Sequence, residues 1–389
     1  MLPITSFLSC TEPIDQFECF STRQKHHAKT YVTGLVAASN KTVQGISNIV
    51  LLAKSERALN KFLTEYDWDE DQLNRERLAL LQQADDTRWS SEGVVIIDDT
   101  FTHKTGKKIP HAGKYYDHGI HTTSGDRTSS THSTPTRKPP TTRLSPLQEN
   151  NKRRVELAIE LVDELIEIGV RRDTYLFDMF YSTEEFVTHL EEYGKEWVSA
   201  VKSDTRVSYG GDRIRVDALS QRIDTVPRTV NGDIYHIWTQ KRDVGRLGEV
   251  KLLITEKESS DEDEEPSVKY IVSDKIDAPA SHLIELYAMR WRVETFFRDT
   301  KQDLGFGDCK LRHAAGASAD WHLLMLAYSL LKSGAAHSTL GTILGHASSL
   351  RNDVKRSFRE SVQNLLSWAL TSPYRSIDEL LHQIDGMFV

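Results

Sequence analysis

The sequence predicts an α/β fold that carries a β-rich insertion and is flanked by helical segments at both ends. Three observations predict it. Val94-Val95-Ile96-Ile97 is an unbroken β-branched apolar run, the pattern of a strand buried on both faces. From Val155 to Val201, helix and strand signals alternate, as they do where strands lie parallel and helices cross between them. Between Ser203 and Asp274 the pattern changes to short alternating runs, which read as antiparallel strands.

With 389 residues the chain is long enough for two or three units, each able to bury a core. Its hydrophobic fraction of 38% and charged fraction of 27% are those of a soluble globular protein. No run approaches the ~20 apolar residues that span a bilayer, and the N-terminus shows no secretion signal, so a cytoplasmic location without a membrane partner is expected. Cys10, Cys19 and Cys309 fit neither a disulfide framework nor a zinc site. His103, His111, His118 and His121 lie close together but match no metal spacing. The net charge of −8 weighs against a nucleic-acid partner, yet only mildly, because phosphate binding depends on local patches. Much of the acid is concentrated in Asp67 to Asp71 and in Ser259 to Glu265, which reads as a solvated loop.

The elements follow in order. Helices are expected in Ala28 to Ala38, Thr42 to Leu52, from Ser55 through Leu63 with Ser55 as cap, and from Trp68 to Gln83. Short helices joined by tight turns suit a helix-turn-helix DNA-binding region or a plain helical bundle. The buried strand at Val94 ends in Asp98-Asp99-Thr100, and Lys104 to Lys114 reads as a hairpin or loop. Val155 to Ile168 is a strongly amphipathic helix with Gly169 as its C-terminal stop. A short strand, Thr174 to Phe177, ends at Asp178. Ser182 and Glu185 then form a capping box for the next helix, and Trp197 to Val201 is another strand. Insertion strands are expected at Arg213 to Val216, Ile234 to Trp238, Val250 to Thr255 and Val268 to Val272. Helices over Ser281 to Gln302, Trp321 to Leu331 and Leu350 to Leu381 complete the chain.

Two of these strands end in acids, and an acid at the end of a buried strand needs a counter-charge. A hard divalent ion with carboxylate ligands supplies one. The third element is the run from Tyr287 to Lys301, which reads Y-x2-R-x3-E-x6-K. Helical steps of three, four and seven keep Tyr287, Arg290, Glu294 and Lys301 on one face. That face suits a metal beside a phosphodiester: Glu294 for the ion, Arg290 and Lys301 for phosphate oxygens, Tyr287 to orient. Trp291 and Phe296 on the same helix are expected to be core.

The Tyr-Arg-Glu-Lys spacing resembles the signature of cut-and-paste DDE transposases of the insertion-sequence-four group and their relatives. Ile97-Asp98-Asp99-Thr100 is similar to that group's first-Asp motif, and Leu176-Phe177-Asp178-Met179-Phe180-Tyr181-Ser182 to its second. The resemblance runs from about Cys19 to Leu331 and implies an RNase H-like catalytic domain interrupted by the β insertion. It implies that Asp99, Asp178 and Glu294 are the catalytic metal ligands, with Asp98 the alternative in first position. It further implies two Mg²⁺ ions, with Mn²⁺ as a substitute, and Tyr287, Arg290 and Lys301 on the DNA. Trp238 would either stack on a flipped base or serve as a core aromatic. The implied partners are the element's terminal repeats, target DNA and a second copy in a synaptic homodimer, working at the nucleoid.

The domain reading is then 1–90 helical and DNA-end binding, 91–203 the first part of the catalytic domain, 204–278 the insertion, 279–345 the second part with the Glu294 helix, and 346–389 helical. Gly119 to Asn151 does not fit this scheme. It is crowded with Thr, Ser, Pro, Arg and His and has only Ile120, Leu144 and Leu147 as large apolar residues. No strand can be drawn through it on pattern, so it is expected to be disordered or aberrant. That leaves two alternatives to an active transposase: a decayed, inactive copy, or an RNase H-like nuclease that cuts without joining.

Overall fold

The computed structural model describes residues 4–83, 85, 87–89, 93–103, 113–117, 122–133, 144–146, 153–170, 173–258, 267–337, 349–371, 376 and 378–379. A 3₁₀ segment, Ser9–Gln16, leads into helices α1 (Thr22–Ala37), α2 (Val43–Ile49), α3 (Glu56–Thr64) and α4 (Glu70–Gln83). Local chemistry sets their starts. Ser21 and Gln24 form a capping box on α1, and the Thr42 and Ser55 hydroxyls accept from Gly45 N–H and Ala58 N–H.

The sheet begins with β1 (Val94–His103), β2 (Gly113–Asp117), β3 (Thr122–Ser133) and β4 (Leu144–Pro146). Helix α5 (Arg154–Glu167) crosses to β5 (Thr174–Phe177), and α6 (Glu184–Glu192) to β6 (Glu196–Ala200). Gly169 closes α5 at φ 82°, a backbone conformation that a side chain would strain. The insertion follows: a hairpin of β7 (Arg206–Tyr209) and β8 (Asp212–Arg215), a short helix α7 (Val216–Ser220), and strands β9 (Val226–Val230), β10 (Asp233–Asp243), β11 (Glu249–Lys257) and β12 (Val268–Ser273).

The strand order is β2-β3-β1-β5-β6-β12-β11-β10-β9, with β4 also paired to β3. β1, β5 and β6 run parallel, and the other pairs are antiparallel. Strands β9 to β12 therefore extend the main sheet, and only β7 and β8 form a separate ladder. The chain ends in α8 (Ala280–Ala288), α9 (Trp291–Asp299), a π-helical turn at Thr300–Leu304, α10 (Ala314–His337) and α11 (Leu350–Thr371). None of the described helices is long and apolar enough to cross a membrane.

Strand alternation divides the core. Val94, Ile96, Leu176 and Val198 face one cluster, shared with α1 to α4, α8, α9 and α10. Val95, Ile97, Tyr175, Phe177 and Trp197 face the other, shared with α5, α6 and residues of the insertion.

Two readings change. Gly119 to Asn151 was expected to hold no strand, yet the backbone of Thr122–Ser133 pairs with β1 from Ile96↔Ser133 to His103↔Asp126. Leu144–Pro146 in turn pairs with Thr122–Ser133, from Ser129↔Pro146 to Thr131↔Leu144. The physical reason is the edge of β1, whose peptide groups need partners whatever side chains the neighbouring strand carries. The rest of that segment lies outside the described residues, as do Lys104 to Pro110, Ser259 to Glu265, His111, His118 and His121. The second change is at α6. Thr183, not Ser182, caps it by accepting from Phe186 N–H, and the Ser182 hydroxyl instead binds Ser199 Oγ at 2.5 Å and the Ala200 carbonyl at 2.6 Å.

Candidate active site

β1 and β5 are parallel neighbours in register Ile97↔Phe177, so Asp98, within β1, and Asp178, just past the end of β5, come next to each other on adjacent strands. The Asp178 carboxylate is held by its own loop: Oδ1 accepts from Phe180 N–H at 2.9 Å. Successive residues of β1 point to opposite faces, and this separates Asp98 from Asp99. Asp98 lies on the side of Val94 and Ile96, where the signature residues stand. Arg290 Nη1 donates to Asp98 Oδ2 at 2.8 Å, and Arg290 Nη2 to Glu294 Oε1 at 2.5 Å. One guanidinium thus spans the two carboxylates.

Asp99 turns to the side of Val95 and Ile97. Its Oδ2 is 3.3 Å from Arg154 Nη1 of α5. That oxygen and the nearby Tyr181 hydroxyl are both buried without a hydrogen-bond partner. The Asp99 backbone N–H donates to Asp98 Oδ1 at 2.9 Å.

The rest of the signature gathers at the same place, although not on one regular helix as expected. Arg290 sits in a tight turn between α8 and α9, where Arg290 N–H bonds the Tyr287 carbonyl and Val293 N–H bonds the Arg290 carbonyl. The guanidinium also lies 6.0 Å from the Tyr287 ring centre. Lys301, in the π turn, donates to Thr100 Oγ1 at 2.8 Å. Phe296 is buried, as expected of a core residue. Trp291 is not, at 63% exposure, because it lies away from the Val293-Phe296-Phe297 stripe that packs inward.

Electrostatics follow from burial. Burial pushes the Asp98 carboxyl up to about 7, with Arg290 opposing and Asp178 and Asp99 adding to the rise. Asp99 and Asp178 are raised for the same leading reason, countered at Asp99 mainly by Arg154. Tyr287 is raised by burial against the pull of Arg290. At Arg290 burial lowers the pKa, but Asp98, Tyr287 and Glu294 outweigh it and the net shift is upward.

The donor set fits a hard divalent cation. Asp98, Asp178 and Glu294 offer the carboxylate oxygens such an ion prefers, with Asp98 and Glu294 held by Arg290, while Asp99 pairs with Arg154 on the other face. Among the described residues no three acid, His or Cys side chains stand ready around one point. Arg290 occupies the space between two of the acids.

Trp238 does not join this group through any described contact. It is half-buried in β10, packed on the second core cluster with Arg242 5.9 Å from its ring centre. Sequence reading missed Arg154 and named Thr100, Phe180 and Tyr181 only as motif neighbours of the acids, because their partners are set by the fold rather than by local spacing.

A buried acid of β1 is thus bridged through an arginine to an acid of α9, beside a further acid that follows β5. Residues 89–330 match the family described as Transposase DDE domain, and the chain belongs to that family. It is 26% identical over 288 residues to "Probable transposase for insertion sequence element IS701" of Microchaete diplosiphon, covering 70% of this chain and 73% of that one. A solved structure of similar fold is the piggyBac transposase synaptic complex with hairpin DNA. It matches with a TM-score of 0.52 at 12% identity, over 98% of this chain and 82% of that chain. The protein is a DDE transposase.

Proposed function

We propose that this transposase cuts and rejoins DNA at the ends of its element with Asp98, Asp178 and Glu294 as the acids of its DDE site. The observation that carries the reading is the Arg290 bridge, which joins Asp98 and not Asp99 to Glu294. Asp99, the residue first expected in this role, is then a neighbour held by Arg154. The three acids would hold divalent metal, taken as two Mg²⁺ ions with Mn²⁺ as substitute. When bound, such ions activate the attacking oxygen and stabilise the leaving one in phosphoryl transfer.

The chain's own groups do the rest. Lys301, steadied by Thr100, and Arg290, set against Tyr287, offer cations to phosphate oxygens on either side of the scissile bond. The strand arrangement β4-β3-β1-β5-β6, antiparallel and then parallel, supports an RNase H-like catalytic domain. We assign Trp238 to the core of the insertion, end recognition to Cys19 to Gln83, and synapsis of two ends to a homodimer. Glu294→Gln tests the assignment: it should abolish Mg²⁺-dependent cleavage of a terminal-repeat duplex while leaving binding to that duplex intact. Full cleavage by the variant would remove Glu294 from the site.

A second reading, a decayed copy, rests on one observation. β3 occupies a central place beside β1, yet its sequence, TTSGDRTSSTHS, contains no large apolar residue. A pair of compensating frameshifts across Gly119 to Asn151 would account for such a strand. Translating those codons in the other two frames should then reveal two alternating apolar runs separated by a turn. If neither frame shows them, the segment is native and this reading falls.

A further inference from the structure

The loop after Asp178 presents Met179 and Phe180 to solvent, 42% and 39% exposed, between the buried Phe177 and Tyr181. Phe180 is not loosely placed, since its N–H is fixed to Asp178 Oδ1. Two cations from distant parts of the chain converge on its ring: Arg154 of α5 at 5.9 Å from the centre, and Lys202, just after β6, at 5.5 Å. The result is an apolar step flanked by positive charge at the rim of the acidic site.

We propose that Met179 and Phe180 form a stacking platform for an unpaired nucleotide beside the scissile phosphate, with Lys202 and Arg154 drawing in the backbone phosphates on either side. A nucleobase has an apolar face and lies between two anions, so it matches this surface in both shape and charge. A protein partner would find too little apolar area here, and duplex DNA presents no base face. The proposal rests on the transposase reading, because only a strand being opened for cutting brings an unpaired base to this rim. Phe180 is thereby a positioning residue: it orients the strand that Asp178 and its fellow acids attend.

The test uses the full-length protein and a terminal-repeat duplex with a single-stranded flank carrying 2-aminopurine, beside the same duplex with a blunt end. The wild type should quench the probe by stacking. Phe180→Ala and Phe180→Leu should each bind the flanked duplex about tenfold more weakly and leave the probe bright, with blunt-duplex binding unchanged. Phe180→Trp should restore both readouts. Phe180→Leu keeps the apolar bulk of the loop, so a folding defect confined to the alanine variant does not obscure the answer. If Phe180→Leu binds and quenches like the wild type, the platform is overturned while the transposase reading stands. If the wild type binds neither duplex, the proposed DNA-cutting role of this site fails and takes the platform with it.

Discussion

Asp98 and Asp99 are consecutive residues of one strand, yet they belong to opposite sides of the sheet and to different company. On Asp98's side stand the signature residues Arg290 and Glu294 and the large helical core built from both ends of the chain. On Asp99's side stand α5 with Arg154, the buried Tyr181, and the core shared with the insertion. The difference teaches that a sequence motif with two adjacent acids is resolved by strand parity: the acid in phase with the face that receives the Glu helix is the one that meets it.

The sharpest way to break this comparison is to neutralise each acid in turn. Asp98→Asn should reduce Mg²⁺-dependent cleavage about a thousandfold, since a metal ligand supplies several kcal/mol of transition-state stabilisation. Asp99→Asn should cost at least tenfold less. Measured single-turnover cleavage rates in the reverse order would move the site to the other face of the sheet.

A second prediction concerns pH in the absence of divalent ion. The Asp98 carboxyl is raised from 3.8 to about 7, so between those values the folded chain holds a proton that the unfolded chain has released. Stability should therefore fall as pH rises through that window and level off above it. Thermal melts with chelator at pH 5 and pH 8 should show it, and Asp98→Asn should flatten the slope. A slope that survives in Asp98→Asn but disappears in Asp99→Asn would place the dominant buried charge with Arg154 instead.

The smallest effect is expected at Lys301. Lys301→Ala should lower the salt dependence of DNA binding by about one counterion, which corresponds to one phosphate contact. An unchanged slope would leave the lysine as a strut for Thr100.

Much of this was legible in the sequence, and what was not has particular causes. Val94 to Ile97 announced a strand buried on both faces, and both of its faces are indeed core. The Tyr-Arg-Glu-Lys spacing singled out residues that the structure sets beside Asp98 and Thr100. Which of Asp98 and Asp99 faces Arg290 and Glu294 was not legible, because parity has meaning only once the face that receives α9 is known. Trp291 was misplaced because a lone aromatic beside an apolar stripe looks like part of it until the helical phase is fixed. Ser182 was misread for a similar reason: its partners, Ser199 and Ala200, lie on a different strand. β3 was invisible because pattern reading detects burial, whereas a strand can be placed by the backbone of its neighbour alone.

The segment from Tyr287 to Lys301 has a further consequence. Its backbone is overwound at Arg290, where bonds skip three residues, and underwound in the π turn that holds Lys301. A π turn accommodates one residue more than an α-helix in the same stretch. Lineages that delete one residue between Thr300 and Leu304 would keep every signature letter through Glu294, yet rotate whatever follows by about a quarter-turn or more. The π turn is therefore a phase setting for the chain that follows it, and its length carries as much information as the signature letters before it.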